Sequence, residues 1–354
     1  MAGKKQKTPP EAADPRTPSV VDPVATEQDR AEEGALRPRR FDDFVGQDKI
    51  KENLEIMVEA ARRRGEPVGH VLLSGPPGLG KTTLAKILAE ERGVKLHETT
   101  GPAIEHKGQL AALLTNLSPN DVVFIDEIHR LTPVVEETLY TAVEDFCIDV
   151  VHGDGPYAQV LKLPLHPFTL VAATTRTGLL TNPMLSRFGY VARLDYYSPE
   201  ALASIVRRSA RLLAMKISED AAEELARRSR GTPRIANRHV RFARDFALVK
   251  GGGALDLELA RSALDRLDVD HAGLEEMDRR YLLVLIDHYR GGPVGIETLA
   301  AALSEPRDTL EDVHEPFLLQ QGFLARTARG RMATARAYEH LGRQRPKSQG
   351  DLFE

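Results

Sequence analysis

Apolar positions change their spacing twice along this chain, and the changes divide it into three folded stretches. Between residues 41 and 195, short runs rich in aliphatic and β-branched residues alternate with segments of helical period. These runs are HVLLSG (70–75), VKLHETT (94–100), DVVFID (121–126), FTLVAATT (168–175) and VARLDY (191–196). The alternation predicts a parallel sheet with crossover helices, an α/β domain. From Ser198 to about Leu267 the strand signal disappears, and SPEALASIVRRSARLLAM, SEDAAEELARRSRG and a run opening at Pro233 read as helices. Ser198 and Ser218 stand as N-caps, with Pro199 at a first helical position. That stretch predicts a small all-helical domain. After the turn GGGALD (251–256) and one more helix, a third unit opens near Leu274. It carries helices in MDRRYLLVLIDHYRGG and GIETLAAAL, a turn at 304–306, a helix from Arg307, and a hairpin in FLARTARGRMAT. Helix, turn, helix and hairpin in that order predict a winged helix. Pro316 should kink or end the helix begun at Arg307.

The ends lack such periodicity. The first forty residues hold six prolines and no aromatic residue, a composition that cannot offset the entropy of ordering. The expected organisation is a disordered tail (1–34), a large α/β domain (35–197), an all-helical domain (198–272), a winged helix (273–345) and a flexible tail (346–354). With 48 Lys and Arg against 52 Asp and Glu, the net charge is -4, so any nucleic-acid surface has to be local. The single cysteine, Cys147, excludes intramolecular disulfides and cysteine-cluster metal sites. No run approaches the ~20 apolar residues of a membrane span, and MAGKKQKTPP leads into no signal peptide, so a cytoplasmic protein is expected.

Candidate chemistry concentrates in two segments. Residues 75–82 read Gly-Pro-Pro-Gly-Leu-Gly-Lys-Thr, the pattern GxxxxGK[ST], between a strand run and a helical run. Gly78 and Gly80 let backbone N–H groups close around phosphate oxygens, aided by the positive end of the following helix. Lys81 supplies a charge for the β and γ phosphates of ATP, and Thr82 a hydroxyl for Mg²⁺. DVVFIDEIHR ends its apolar run in Asp126 and Glu127, at the carboxyl edge where parallel sheets bind ligands. Asp126 is suited to holding Mg²⁺ through water and Glu127 to accepting a proton from an attacking water. His129 has no second ligand at metal-binding spacing and is expected to pack or hydrogen-bond.

With VGQ (45–47), LTNL (114–117), AATTR (172–176), LSRFG (185–189) and RGTPRIANR (230–238), these motifs closely resemble the RuvB family of AAA+ ATPases. The resemblance runs from about Leu36 to Leu341. It implies an ATPase domain, a lid and a winged helix that assemble as a homohexameric ring on double-stranded DNA and drive branch migration of Holliday junctions. Position by position, it makes Thr174 sensor 1, Arg187 the arginine finger offered to a neighbouring subunit, and Arg234 sensor 2. It adds Leu36, Arg37, Thr83, Tyr197 and Glu144, Asp145 and Phe146 to the nucleotide pocket, and makes Arg307, Arg326 and Arg331 DNA contacts. The hairpin predicted at 147–168, carrying Ile148, Val150, Val160 and Leu161 around a turn at 153–156, is implied to bind RuvA, with the RuvC resolvase in the wider complex. The chain departs from the pattern in its long amino-terminal tail and at Ser186. A replication-initiator ATPase shares the core, lid and winged helix but is not expected to carry that hairpin. A protein-remodelling ATPase would need an aromatic-glycine loop before Asp121, and a nucleotide-binding module without turnover would lack Glu127.

Overall fold

The computed structural model describes residues 34–152 and 159–345. The two terminal tails and the turn expected at 153–156 therefore lie outside the described residues, apart from Gly34. By contacts, the chain divides into a unit ending at Arg37 and a second unit from Pro38 onward. In the first, Gly34, Ala35 and Leu36 form a helical turn closed by Arg37 N–H donating to the Gly34 carbonyl at 3.3 Å.

The second unit is built on seven strands in its first half: β1 (Val71–Ser74), β2 (Leu96–Thr100), β3 (Val122–Asp126), β4 (Cys147–His152), β5 (Gln159–Pro164), β6 (Thr169–Thr174) and β7 (Tyr190–Arg193). Five form a parallel sheet in the order β2-β3-β6-β1-β7, and β4 and β5 stand apart as an antiparallel hairpin. Helices α1 (Asp48–Arg64), α2 (Lys81–Arg92), α3 (Lys107–Thr115), α4 (Pro133–Asp145) and α5 (Asn182–Leu185) complete this half. Because side chains alternate across a strand, the central strands feed two cores. Val71, Leu73, Val122, Phe124, Val171 and Ala173 face one, and Leu72, Val123, Ile125, Leu170 and Ala172 the other.

The helical stretch comprises α6 (Pro199–Leu212), α7 (Glu219–Arg227), α8 (Pro233–Lys250) and α9 (Leu257–Arg266). The Ser198 and Ser218 hydroxyls accept from the N–H groups of Ala201 and Ala221, the caps the sequence predicts. This stretch does not enclose a core of its own. Leu202, Val206, Leu225, Val240 and Leu264 belong to the same apolar cluster as Val71, Leu84 and Ile87 beneath the sheet.

The third stretch does have its own core, formed by Tyr281, Leu285, Leu299, Leu310, Leu318 and Phe323 among others. Its helices are α10 (Glu276–Leu283), α11 (Ile296–Leu303), α12 (Arg307–Thr309), α13 (Glu315–Gln320) and α14 (Ala335–His340), and its wing pairs β8 (Leu324–Thr327) with β9 (Gly330–Ala333). The helix begun at Arg307 is in two pieces, as Pro316 predicts: a π turn, Leu310–His314, separates α12 from α13. A proline ring crowds the carbonyl four residues earlier, here Asp312, and a widened turn relieves it.

One carboxylate closes this domain. Glu315 is fully buried and accepts from the Tyr281 hydroxyl at 2.8 Å, Arg331 Nε at 2.9 Å and Arg326 Nε at 2.7 Å. Arg331 also reaches Glu311 at 2.6 Å. Breaking a buried pair strands its partner, so Arg331→Ala is expected to destabilise the protein by about 3 kcal/mol. A urea midpoint unchanged from the parent protein would remove Arg331 from the folding network.

Candidate functional site

The loop after β1 has a backbone that favours glycine at three points, with φ of 134° at Gly75, 82° at Gly78 and 104° at Gly80. Space explains their identity as much as conformation. A Cβ on Gly78 would come within 3.1 Å of Arg234 Cβ, and one on Gly80 within 3.1 Å of the Phe44 ring. The loop delivers Lys81 to the first turn of α2, followed by Thr82 and Thr83. Lys81 is buried, and its ammonium donates to the carbonyls of Gly75 at 2.7 Å and Pro76 at 2.9 Å. Burial pushes its pKa down to about 8, opposed by the charges of Asp126 and Glu127 and reinforced by Arg234. A buried cation on a glycine-rich loop at the start of a helix fits a polyphosphate, as the sequence predicts.

The carboxyl end of β3 brings Asp126 and Glu127 beside this lysine. Asp126 Oδ1 accepts the Glu127 N–H at 2.9 Å, and Glu127 takes the left-handed backbone, φ 51°. Gly101 is what permits this turn, because a Cβ there would sit 2.4 Å from the Glu127 carbonyl oxygen. Glu127 Oε2 accepts from the Thr175 hydroxyl at 3.2 Å and lies 3.2 Å from His129 Nδ1. Burial lowers the His129 pKa, which favours the neutral ring. Thr174 is fully buried and bonded to His129 Nδ1 at 2.9 Å, while the neighbouring Thr175 touches Glu127 itself. Sequence reading missed Thr175, Gly101 and Phe44. The double threonine at 174–175 was the available signal for the first, since neighbouring strand residues point to opposite faces.

Other predicted residues converge on the same loop. Arg234 N–H lies 3.4 Å from the Gly78 carbonyl, so α8 begins against the phosphate loop. The Tyr197 hydroxyl donates to the Leu79 carbonyl at 3.2 Å, and burial raises its pKa. Leu36 and Arg37 belong to the amino-terminal unit described above, and their place in a pocket rests on the resemblance.

Glu144, Asp145 and Phe146 do not join this loop within one chain. Helix α4 runs back to the amino ends of the strands, where Phe146 packs on His70 and Phe168, at ring separations of 6.3 and 5.8 Å, just ahead of β1 and β6. Arg187 is there too, paired with Glu144 at 2.7 Å, donating to the Pro183 carbonyl at 2.6 Å and stacked 4.5 Å over Tyr140. Within one chain, Glu144 to Phe146 thus cluster around Arg187 and not beside the phosphate loop.

The wing's arginines have no acids between them in sequence, yet in space three predicted DNA contacts are paired with carboxylates. Arg307 pairs with Glu297 and Glu311, both at 3.0 Å, Arg326 with Glu315, and Arg331 with Glu311 and Glu315, because the hairpin folds back over the π turn. Arg326 remains half-exposed, and Arg329 at the hairpin tip is exposed. On the β4–β5 hairpin, Ile148 is buried in the core, while Leu161 and Leu163 are exposed. Nothing is described of the side chains of Val150 and Val160. Among the described residues no helix is long and apolar enough to cross a membrane.

Comparison with known proteins places these features in one family. The model of the Holliday junction DNA helicase RuvB P-loop domain matches residues 36–194, that of the RuvB AAA lid domain 197–270, and that of the RuvB C-terminal winged helix domain 271–342. The Holliday junction branch migration complex subunit RuvB of Rubrobacter xylanophilus is 57% identical over 331 residues, spanning 94% of this chain and 93% of that protein. The solved RuvB Holliday junction branch migration motor of Thermotoga maritima superposes with a TM-score of 0.82 at 48% identity, over 88% of this chain and all of the other. A single-substitution variant of it gives 0.83 at the same identity, over 88% and 99%.

The lysine's low pKa has a consequence for binding. A folded-state value near 8 means that Lys81 loses its charge as pH rises through that point, while below it the charge is present. Affinity for ATP is therefore expected to weaken above about pH 8, by up to roughly tenfold per unit. A titration from pH 7 to 9.5 checks this, and a flat profile for the parent protein would count against the lysine's role.

Proposed function

Since the chain belongs to the RuvB family of AAA+ ATPases, we propose that it is an ATP-driven DNA motor for branch migration of Holliday junctions in recombination and repair. The observation that carries this reading is the junction of three elements at one point. The buried Lys81 of the phosphate loop lies within the field of Asp126 and Glu127, and the lid's Arg234 closes against Gly78.

ATP with Mg²⁺ supplies the phosphoanhydride and the neutralising charge; Thr82 and Asp126 are the residues to hold the ion. Lys81 gives up its two loop carbonyls to donate to phosphate oxygens. Glu127, fixed by His129 and Thr175, accepts the proton of the attacking water. Thr174 sets the ring of His129. Arg234 answers charge from the lid side.

Arg187 acts on a neighbour. Its place with Glu144 to Phe146 at the amino ends of the strands, away from the carboxyl ends that carry Lys81 and Glu127, supports a site shared between subunits of a homohexamer. A guanidinium fork suits charge spread over several oxygens. The wing holds double-stranded DNA by phosphate contacts from Arg307, Arg326 and Arg331, which requires the carboxylates now paired with them to yield. The exposed leucines of the β4–β5 hairpin dock RuvA, with RuvC in the wider complex. The work is cytoplasmic.

The testing experiment is hydrolysis measured with and without a four-way junction and RuvA. Glu127→Gln keeps the shape but removes the proton acceptor, so ATP is expected to bind normally while turnover falls at least about a hundredfold. Parent-rate turnover in this variant would overturn the assignment of the base. Arg187→Ala subunits are expected to bind ATP and fail to hydrolyse it, the loss reaching roughly 10³ to 10⁵ for such fingers. Mixed with Lys81→Ala subunits, they should regain hydrolysis where an intact pocket meets an intact finger. Mixed rings that form and stay inactive would place Arg187 in its own subunit's chemistry.

A further inference from the structure

Two residues beyond Thr174, Arg176 leaves the ATPase sheet and enters the winged-helix domain. Its fork is bidentate on Asp312, with Nε to Oδ1 at 2.8 Å and Nη2 to Oδ2 at 2.7 Å, and Nη2 also meets Asp308 at 3.0 Å. Its backbone N–H donates to the Thr174 hydroxyl at 3.0 Å. From Glu127, whose carboxylate lies 3.2 Å from His129, hydrogen bonds thus run from His129 through Thr174 to Arg176 and on to Asp312.

The segment that Arg176 grips is also the one that holds the wing. Acids at 308, 311, 312 and 315 follow the i, i+3, i+4, i+7 spacing of one helix face. Asp308 and Asp312 turn to Arg176, and Glu311 and Glu315 turn to Arg307, Arg326 and Arg331. The lid touches it as well: Arg230 lies 4.5 Å over the Phe317 ring and donates to the Val313 carbonyl at 3.3 Å. All three domains meet at residues 308–317, whose centre is a π turn, a geometry of helices at functional sites.

We infer that Arg176 is a positioning residue that couples nucleotide turnover to DNA grip: through Asp308 and Asp312, it links the setting of Glu127 to the helical segment that holds the wing arginines. The inference rests on the motor reading above. An ion pair with Asp308 exposed and Arg176 and Asp312 about a third exposed contributes little to stability, so it can open and close without unfolding either domain. Its bidentate geometry gives direction to the pull.

The test uses the full-length protein and duplex DNA. Asp308→Asn/Asp312→Asn removes the charges that Arg176 grips and keeps their shape. Hydrolysis without DNA is expected to stay at the parent rate. Stimulation by DNA is expected to fall at least about fivefold, the lower end of coupling between sites. The ratio of DNA affinities with ADP and with a slowly hydrolysed ATP analogue should move toward one. Pairing Arg176→Asp with Asp312→Arg should recover both readouts where either single change does not. Parent-like stimulation and affinity ratio in the Asn variant would overturn the coupling. So would an equal loss of affinity in both nucleotide states with no recovery in the reversed pair, since that is what a packing role predicts. A parent protein unstimulated by DNA would overturn the motor reading, and the coupling with it.

Discussion

A cation held away from water without a bonded carboxylate organises the catalytic half of this molecule. Among the described residues, Lys81 is compensated by two carbonyls of its own loop and by the more distant charges of Asp126 and Glu127. That arrangement is costly in isolation and well suited to an anion, because desolvation that disfavours the free ammonium strengthens its attraction to phosphate. The surrounding backbone is arranged accordingly. Glycines at 75, 78 and 80 admit conformations that other residues resist, Gly101 lets the Glu127 carbonyl close in, and α8 starts against the same loop.

The sheet and this site were legible because their information is local. Five apolar runs announce five strands, and the phosphate loop and acidic pair each lie within ten residues. What stayed hidden depends on long-range pairing. Nothing in RTARGR shows that Glu311 and Glu315 fold back onto it, so the wing reads as bare positive charge when its charge is largely answered. The placement of Glu144 to Phe146 depends on the course of α4, which periodicity does not give. The division of labour between Thr174 and Thr175 depends on which face of β6 meets His129, and only the packed sheet decides that.

The two seams between domains differ in kind. Sheet and lid are joined by one apolar cluster, whose members lose contact only by exposing surface to water. The winged helix keeps a core to itself and meets its neighbours through charges: Arg176 with Asp308 and Asp312, Arg230 with Asp278 and the Phe317 ring, Arg238 with Glu275. Apolar contact resists separation at any displacement, whereas paired charges can be passed from one partner to another.

Mechanically, the two seams set different costs for movement. Turning the lid on the sheet has to slide or expose the shared apolar cluster, whereas the winged helix can shift by exchanging partly exposed ion pairs, like a foot on a swivel.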